Sequence, residues 1–535
     1  MDGNEPIKIL GIEIPAAERT PLVEQLVRMI GQLFEENRQQ RDEIARLKGL
    51  PRRPIIRPSA LQEHRPSSSG KKKRRKKRPG SAKRSKTVEL KIHETVPLPL
   101  EGLPEGTRRN GHEDFIVQGL RYEAHNVCYQ RIRYLLPDDS CRVAPLPPHI
   151  KGHFSPELKA HIIYQYHQNH VTQPLIHEEL VELGIDISVG EINAILTEGH
   201  EAFHEEKDAL LSAAREVSDY FQTDDTGARH KGKNGYTNVI SNPWFASFTT
   251  TDSKNRVNFL RILRTPFDEY VVDEDALAYM KGQGLAQKWL AKLALAMRKG
   301  PRIIIGDEAW NRQLRKWGIK DEKLQQVVTE GALVGALLHH KLYLHQPLVS
   351  DDAGQFDIPG FLHGLCWIHA ERPLRKLLTF NPRQEQALER VRDDLWKYYR
   401  RLVAYREAPT EKGKARLERD FHELFTRRTG FVELNRILDG IHDKRKELLL
   451  VLDYPAIPPH NNGSESDIRE FAKRRKISGG TRSDLGRRCR DTFVSLKKTC
   501  RKLGLSFMRY LQDRIFGKHE ILPLGDLIRQ AVQET

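Results

Sequence analysis

The residues best suited to chemistry in this chain are acids set far apart. Asp224 and Asp225 close the strand-like run 220–223, Asp351 and Asp352 close the run 344–350, and Glu465 opens a helical pattern. Carboxylates delivered by two strand ends and one helix start can hold a pair of divalent cations. Mg2+ takes hard oxygen ligands and keeps much of its water, so a few carboxylates plus substrate phosphates suffice for two ions roughly 3.5 to 4 Å apart. Each acid also has a plain structural reading, because Asp-Asp before a turn is common loop chemistry. Asp307, closing the run Ile303-Ile304-Ile305-Gly306, is a rival for the second position. Cys366 and His369 form a pair of softer donors. Two ligands fall short of a zinc site, so a buried structural pair is expected there. Asn461-Asn462-Gly463, just ahead of Glu465, reads equally as a helix cap or as side chains that orient the glutamate or touch DNA.

A sheet has to present such acids. Two β-prone runs, 236–241 and 244–250, flank Asn242-Pro243, a hairpin signal. Residues 364–369 read as a strand entering a basic helix, and 383–450 are charged, helical and almost free of glycine. Strand, hairpin, helix, acid, strand and helical acid follow one another in the order of an RNase H-like α/β fold, a mixed five-stranded sheet with flanking helices. Ahead of it, helices are expected at 156–168, at 174–183 and from Ser188, whose Glu191 has capping-box spacing. The break at Gly184 makes the last two resemble a helix-turn-helix.

Charge points to the partner. The 535 residues carry a formal +17, yet 51–87 hold 15 Lys and Arg against one Glu, and 467–502 hold 13 against four acids. The rest sums to about −6. Concentrated cationic blocks suit polyanions, nucleic acid first, since each neutralised phosphate releases counterions. Lys71, Lys72, Lys73, Arg74, Arg75, Lys76, Lys77 and Arg78 form the first contact; Arg469, Lys473, Arg474, Arg475 and Lys476 form the second, beside Glu465. Residues 22–48 fit a heptad frame with Val23, Ile30, Asn37 and Ile44 at a and Leu26, Leu33, Gln40 and Leu47 at d, the pattern of a parallel two-stranded coiled coil. The Pro-, Ser- and charge-rich stretch after it reads as a disordered tether. No apolar run approaches the roughly 20 residues of a membrane span. The residues 1–15 lack the pattern of a signal peptide. Five cysteines without a CxxC pair argue against a disulfide framework and for a reducing interior.

As a set, DDTGARH at Asp224, VSDDAGQF at Asp351 with CWIHAER after it, and NNGSESDIR around Glu465 resemble the DDE transposases of the insertion-sequence-66 family. EIARLKG at the end of the heptads, the basic linker and GGTRSDLG at 479–486 are similar to that family too. The resemblance implies Asp224, Asp351 and Glu465, rather than Asp225 and Asp352, as catalytic acids for two Mg2+ ions, with Mn2+ tolerated. Cys366 and His369 match a CxxH element that supports the site in several DDE groups. The implied partners are double-stranded DNA (transposon ends and target), further copies of the chain as a dimer or larger assembly, and in some systems accessory proteins. The implied setting is the bacterial cytoplasm at the nucleoid, with no membrane. Family members usually carry a cysteine-rich, zinc-finger-like segment, whereas 88–147 hold Cys128 and Cys141 without the required pairs.

The expected layout is a coiled-coil helix in 1–50, a basic linker in 51–87, a β-rich module in 88–147 and a helix-turn-helix-like DNA-binding region in 148–215. The core follows in 216–382, with 265–343 as an insertion, then a helical insertion in 383–455, the end of the core in 456–510 and a tail in 511–535. Rival activities are DNA bridging without catalysis and structure-specific DNA hydrolysis.

Overall fold

The computed structural model describes residues 7–9, 12–14, 23, 92–98, 108, 115–147, 150, 152–343 and 345–534. Residues 1–119 and 120–535 form two separate units. In the first, β1 (Ile7–Ile9) pairs antiparallel with β2 (Ile12–Ile14). Of the heptad segment, Val23 alone is described, and it is helical. The basic linker, with Lys71, Lys72, Lys73, Arg74, Arg75, Lys76, Lys77 and Arg78, lies outside the described residues.

The second unit opens with a small hairpin, β3 (Arg133–Leu135) against β4 (Cys141–Val143). Among the described residues the expected β-rich module of 88–147 reduces to this pair. The alternating apolar residues before it find no facing sheet: Leu120 is 90% exposed and Leu135 69%. Alternation gives a strand only when one face can be buried.

Four helices follow: α1 (Pro156–His167), α2 (Gln173–Glu182), α3 (Val189–Thr197) and α4 (Glu201–Val217). Ser155 and Ser188 cap α1 and α3, their hydroxyls accepting from the amides of Leu158 and Glu191. Gly184, at φ +78°, ends the stretch after α2. Ile162, Ile176, Leu180, Ile192 and Leu196 join in one core.

The central sheet contains β5 (Phe221–His230), β6 (Lys233–Ser241), β7 (Ala246–Thr251), β10 (Leu348–Ser350) and β11 (His363–Leu365), in the order β11-β10-β5-β6-β7. The first three strands run antiparallel, while β10 and β11 lie parallel to β5. This mixed five-stranded α/β sheet is compatible with an RNase H-like core. Asn242 makes the β6–β7 turn, its side-chain oxygen accepting from the amides of Trp244 and Phe245. Edge strand β7 is closed by side chains of a late helix: Ser495 Oγ and Asp491 Oδ2 accept from the amides of Phe248 and Thr250 at 2.8 and 2.7 Å. An edge satisfied in this way cannot recruit another strand.

Between β7 and β10 come α5 (Arg256–Arg264) and then an insertion: β8 (Glu269–Val272), α6 (Glu274–Gly282), α7 (Gln287–Ala296), β9 (Arg302–Ile305), α8 (Asp307–Lys316) and α9 (Glu322–His339). Strands β8 and β9 form their own antiparallel pair. After β11 run α10 (Trp367–Lys376), then the expected helical segment, α11 (Pro382–Glu407), α12 (Glu411–Thr426), α13 (Val432–Asp443) and α14 (Arg445–Leu448). The chain then returns to the sheet through α15 (Asn462–Ser478) and α16 (Asp484–Lys502). The expected tail is instead part of the body. Helices α17 (Phe507–Ile515) and α18 (Leu524–Gln533) bury Leu511, Leu524 and Ile528 in the main core, and Arg514 pairs with Glu206 of α4 at 3.0 Å. An amphipathic helix of ten residues gains more from burying its apolar stripe than it loses in chain entropy. Among the described residues no helix is long and apolar enough to cross a membrane.

Candidate active site

The acids of the first doublet lie inside β5, not at its end. Asp224 faces Val239 and Asp225 faces Asn238 across the ladder, because the β5–β6 hairpin continues to a tight turn at Lys231 and Gly232, both at positive φ (50° and 77°). Such two-residue turns match the twist of the strands they join. The expectation of a short strand overlooked this turn, for which His230-Lys231-Gly232-Lys233 was the available signal.

Register brings the second doublet alongside. Leu348 of β10 pairs with Phe221 and Val349 with Gln222, so continuing the parallel ladder sets Asp351 beside Asp224. Glu465 lies in the first turn of α15, and this helix is pinned to β5 ahead of Asp224. Asn461, fully buried, donates through its side-chain amide to the carbonyl of Thr223 at 2.7 Å, and its own carbonyl accepts from the Glu465 amide at 3.1 Å. Its side-chain oxygen accepts from Ser464 Oγ. Gln222 donates to the His460 carbonyl at 2.8 Å. At Gly463, a Cβ would stand 2.1 Å from Gln222 Oε1, so a larger residue there would displace the Gln222 side chain. Asn461 is therefore an orienting residue; Asn462, the first residue of α15, is only partly buried.

Within each doublet the two acids differ. Asp225 Oδ1 is 3.1 Å from Lys254 Nζ, and Asp225 Oδ2 accepts from Gln355 at 2.6 Å. Asp352 pairs with Lys444. Asp224 and Asp351 have no such cation among the described residues. Asp224 accepts from the Asp225 amide at 2.8 Å and Asp351 from the Ala353 amide at 3.2 Å. Burial first, and then the charges of Asp351, Glu465 and Asp225, push the Asp224 carboxyl up to about 7. Lys254, Gln355 and Lys444 escaped the sequence reading, since nothing local marks a side chain that reaches an acid about 30, 130 or 90 positions away.

Cys366 caps α10 from the end of β11, and its sulfur accepts from the Asn461 amide at 3.3 Å. His369, one turn into α10, brings Nδ1 within 3.8 Å of Glu465 Oε1. Burial pushes the Cys366 thiol up to about 11, and burial together with Arg372 lowers the His369 imidazole. Both residues thus adjoin the glutamate. Asp307 does not join the group. It opens α8 in the insertion, accepts from Tyr270 Oη at 2.6 Å and lies 3.5 Å from Arg261.

The basic stretch of α15 divides. Lys473 and Lys476 are exposed, Arg475 reaches toward Gly227 of β5, and Arg469 pairs with Glu465 at 3.4 Å. Arg474, expected to contact phosphate, is 3% exposed. Its guanidinium stacks 3.8 Å over the Tyr166 ring and donates to the Tyr166 carbonyl at 2.8 Å. Other cations of this block are spent internally: Lys497 pairs with Glu470 at 2.6 Å and Lys502 with Asp467 at 2.8 Å. The spacing that puts a side chain on the helix face packed against α1 is invisible until that face is known.

Residues 345–488 match the family model described as Transposase IS66 family, a span that holds Asp351, Cys366, His369 and Glu465. An uncharacterized protein of Sinorhizobium fredii, y4jO, is 39% identical over 322 residues, which is 60% of this chain and 99% of the relative. The chain belongs to the IS66 transposase family. Membership in this family makes DNA the implied substrate.

Proposed function

We propose that this IS66-family chain cuts and rejoins DNA, exposing a 3′-hydroxyl at transposon ends and joining it to target DNA, with Asp224, Asp351 and Glu465 as the metal-holding acids of an RNase H-like core. The carrying observation is the split within each doublet. Lysines balance Asp225 and Asp352, while Asp224 and Asp351 are left without a cation beside Glu465.

These residues fit divalent ions. The donors are hard carboxylate oxygens, and the Asp224 carboxyl is raised first by burial and then by the charges of Asp351, Glu465 and Asp225, both of which a bound cation would offset. Two Mg2+ ions held there would activate the attacking water or 3′-hydroxyl and stabilise the departing oxygen, and Mn2+ would substitute. The protein's part is positional. Strand β5 holds Asp224 within its ladder, and Asp351 follows directly on the last residue of β10. Asn461 ties the Glu465 turn to Thr223, Lys254 keeps Asp225 turned aside, and Lys473 and Lys476 offer exposed cations to phosphates along α15. Residues 156–200 carry seven acids against Lys159, so this region adds little electrostatic attraction for phosphate; any DNA reading by α3 would come from Val189, Asn193 and Thr197. The linker cations Lys71 to Arg78 capture DNA without reading it, and the heptads of 22–48 pair two copies.

The test is strand cleavage and joining on DNA bearing the element's own ends. Asp224→Asn, Asp351→Asn and Glu465→Gln each lose several kcal/mol of transition-state stabilisation, about a 10³-fold or greater drop in rate, while retaining DNA binding. Wild-type joining by any of them removes that residue from the site. Hydrolysis without joining in the unaltered protein identifies a nuclease, and binding without Mg2+-dependent cleavage identifies a DNA-bridging protein.

A further inference from the structure

We propose that Cys366, His369 and Glu465 form a second cation site, selective for soft divalent ions such as Zn2+ or Cd2+, in which Glu465 is shared with the Asp224–Asp351 cluster. The Cys366 sulfur, a ring nitrogen of His369 and a carboxylate oxygen of Glu465 all lie within 4.8 Å of one another. His369 Nδ1 and Glu465 Oε1 are both buried and have no hydrogen-bond partner among the described residues. Two unbonded polar atoms that face each other at 3.8 Å are rare inside proteins, and one cation satisfies both.

The donor types choose the ion. Thiolate and imidazole favour Zn2+ or Cd2+, whereas Asp224 and Asp351 offer the oxygens that Mg2+ prefers. Three protein ligands leave a fourth position open. Cys366, 1% exposed, forms the floor. His369 and Glu465, with side chains 16% and 18% exposed, form the entrance. The Asn461 amide already donates to the sulfur, the outer contact that orients a thiolate ligand. On binding, the metal–sulfur bond replaces the S–H bond and the proton leaves to solvent. Sharing Glu465 couples the two sites. A soft ion that engages this carboxylate withdraws it from the aspartates, so Zn2+ antagonises Mg2+-supported cleavage. That consequence rests on the function proposed above; the binding site itself does not.

The experiment is a Cd2+ titration of the full-length chain, followed by the thiolate-to-cadmium charge-transfer band. It uses a Cys128→Ser, Cys141→Ser background because those two thiols are exposed. One Cd2+ per chain is expected. Cys366→Ser should abolish the band, and His369→Asn or Glu465→Gln should weaken binding by at least the roughly 10- to 100-fold that losing even an outer-shell partner costs. Asp224→Asn should keep the band, which separates this site from the carboxylate cluster. No band in the parent, or an unchanged band in Cys366→Ser, overturns the site. Unchanged affinity in His369→Asn does the same if Cys366→Ser does not fold by circular dichroism. Unchanged affinity in Glu465→Gln overturns the sharing. None of these readings needs DNA cleavage, so failure of the transposase mechanism would appear separately, as a normal Cd2+ site in a protein that does not cut.

Discussion

Two sheets in this protein present acids next to apolar strand residues, and they come out opposite. In the five-stranded sheet, the register of β10 carries Asp351 toward Asp224, the charges of Asp351 and Glu465 both act on the Asp224 carboxyl, and no lysine or arginine pairs with either aspartate among the described residues. In the two-stranded sheet of the insertion, Asp307 follows Ile303-Ile304-Ile305-Gly306 just as plainly, yet it is held by Tyr270, Arg261 and Arg264. The sequence pattern is the same; the charge balance is not. Asp307 is neutralised where it stands, whereas Asp224 and Asp351 are left without a cation and Glu465, paired to Arg469 through Oε2 alone, keeps Oε1 unbonded among the described residues, which poises the three for a cation.

The largest effect is expected at Asp224. Its folded carboxyl sits at about 7 against an ordinary 3.8, so metal-free folded protein binds this proton more tightly than unfolded chain does. Stability is therefore highest below the ordinary value and falls as pH rises between 3.8 and about 7. Asp224→Asn should remove that loss, raising metal-free stability at pH 8 by up to ~4 kcal/mol and leaving it nearly unchanged at pH 3.5. Denaturant melts at the two pH values check this, and an equal gain at both would mean that Asp224 is not under electrostatic strain. Next in size is the contrast within α15. Arg474→Met should cost about 2 kcal/mol, since it loses a charged hydrogen bond and a ring stack. Lys476→Ala should change stability by less than about 0.5 kcal/mol but reduce the slope of log affinity for DNA against log salt by about 1. If Arg474→Met alters that slope and Lys476→Ala does not, the division of the basic run is wrong. Smallest is Asp307→Asn, expected to cost about 1 kcal/mol or less and to leave cleavage within about twofold. Loss of Mg2+-dependent cleavage in that variant would reinstate Asp307 as the second acid.

Much of the fold was legible because its signals are local. Ser155 and Ser188 announced their helices, Asn242-Pro243 its hairpin, and the glycine-poor run its inserted helices. Among the described residues of 88–147 only the β3–β4 pair forms, because alternation describes a strand's faces but says nothing of whether a sheet exists to cover one. The tail proved to be packed helix because Leu524 and Ile528 find a groove on α4 that no local signal reports.

By itself, then, the sequence determined the kinds of groups available: hard carboxylates at three separated positions, a thiol and an imidazole close to one of them, and cations in two blocks. Those follow from covalent order. Tertiary structure alone decided which member of each doublet stays uncompensated, which arginine of the basic run is buried under Tyr166, and that Asn461 ties Glu465 to the strand of Asp224. Each outcome depends on groups brought together from up to about 300 residues apart, and electrostatic energy depends on their distance in space, not along the chain.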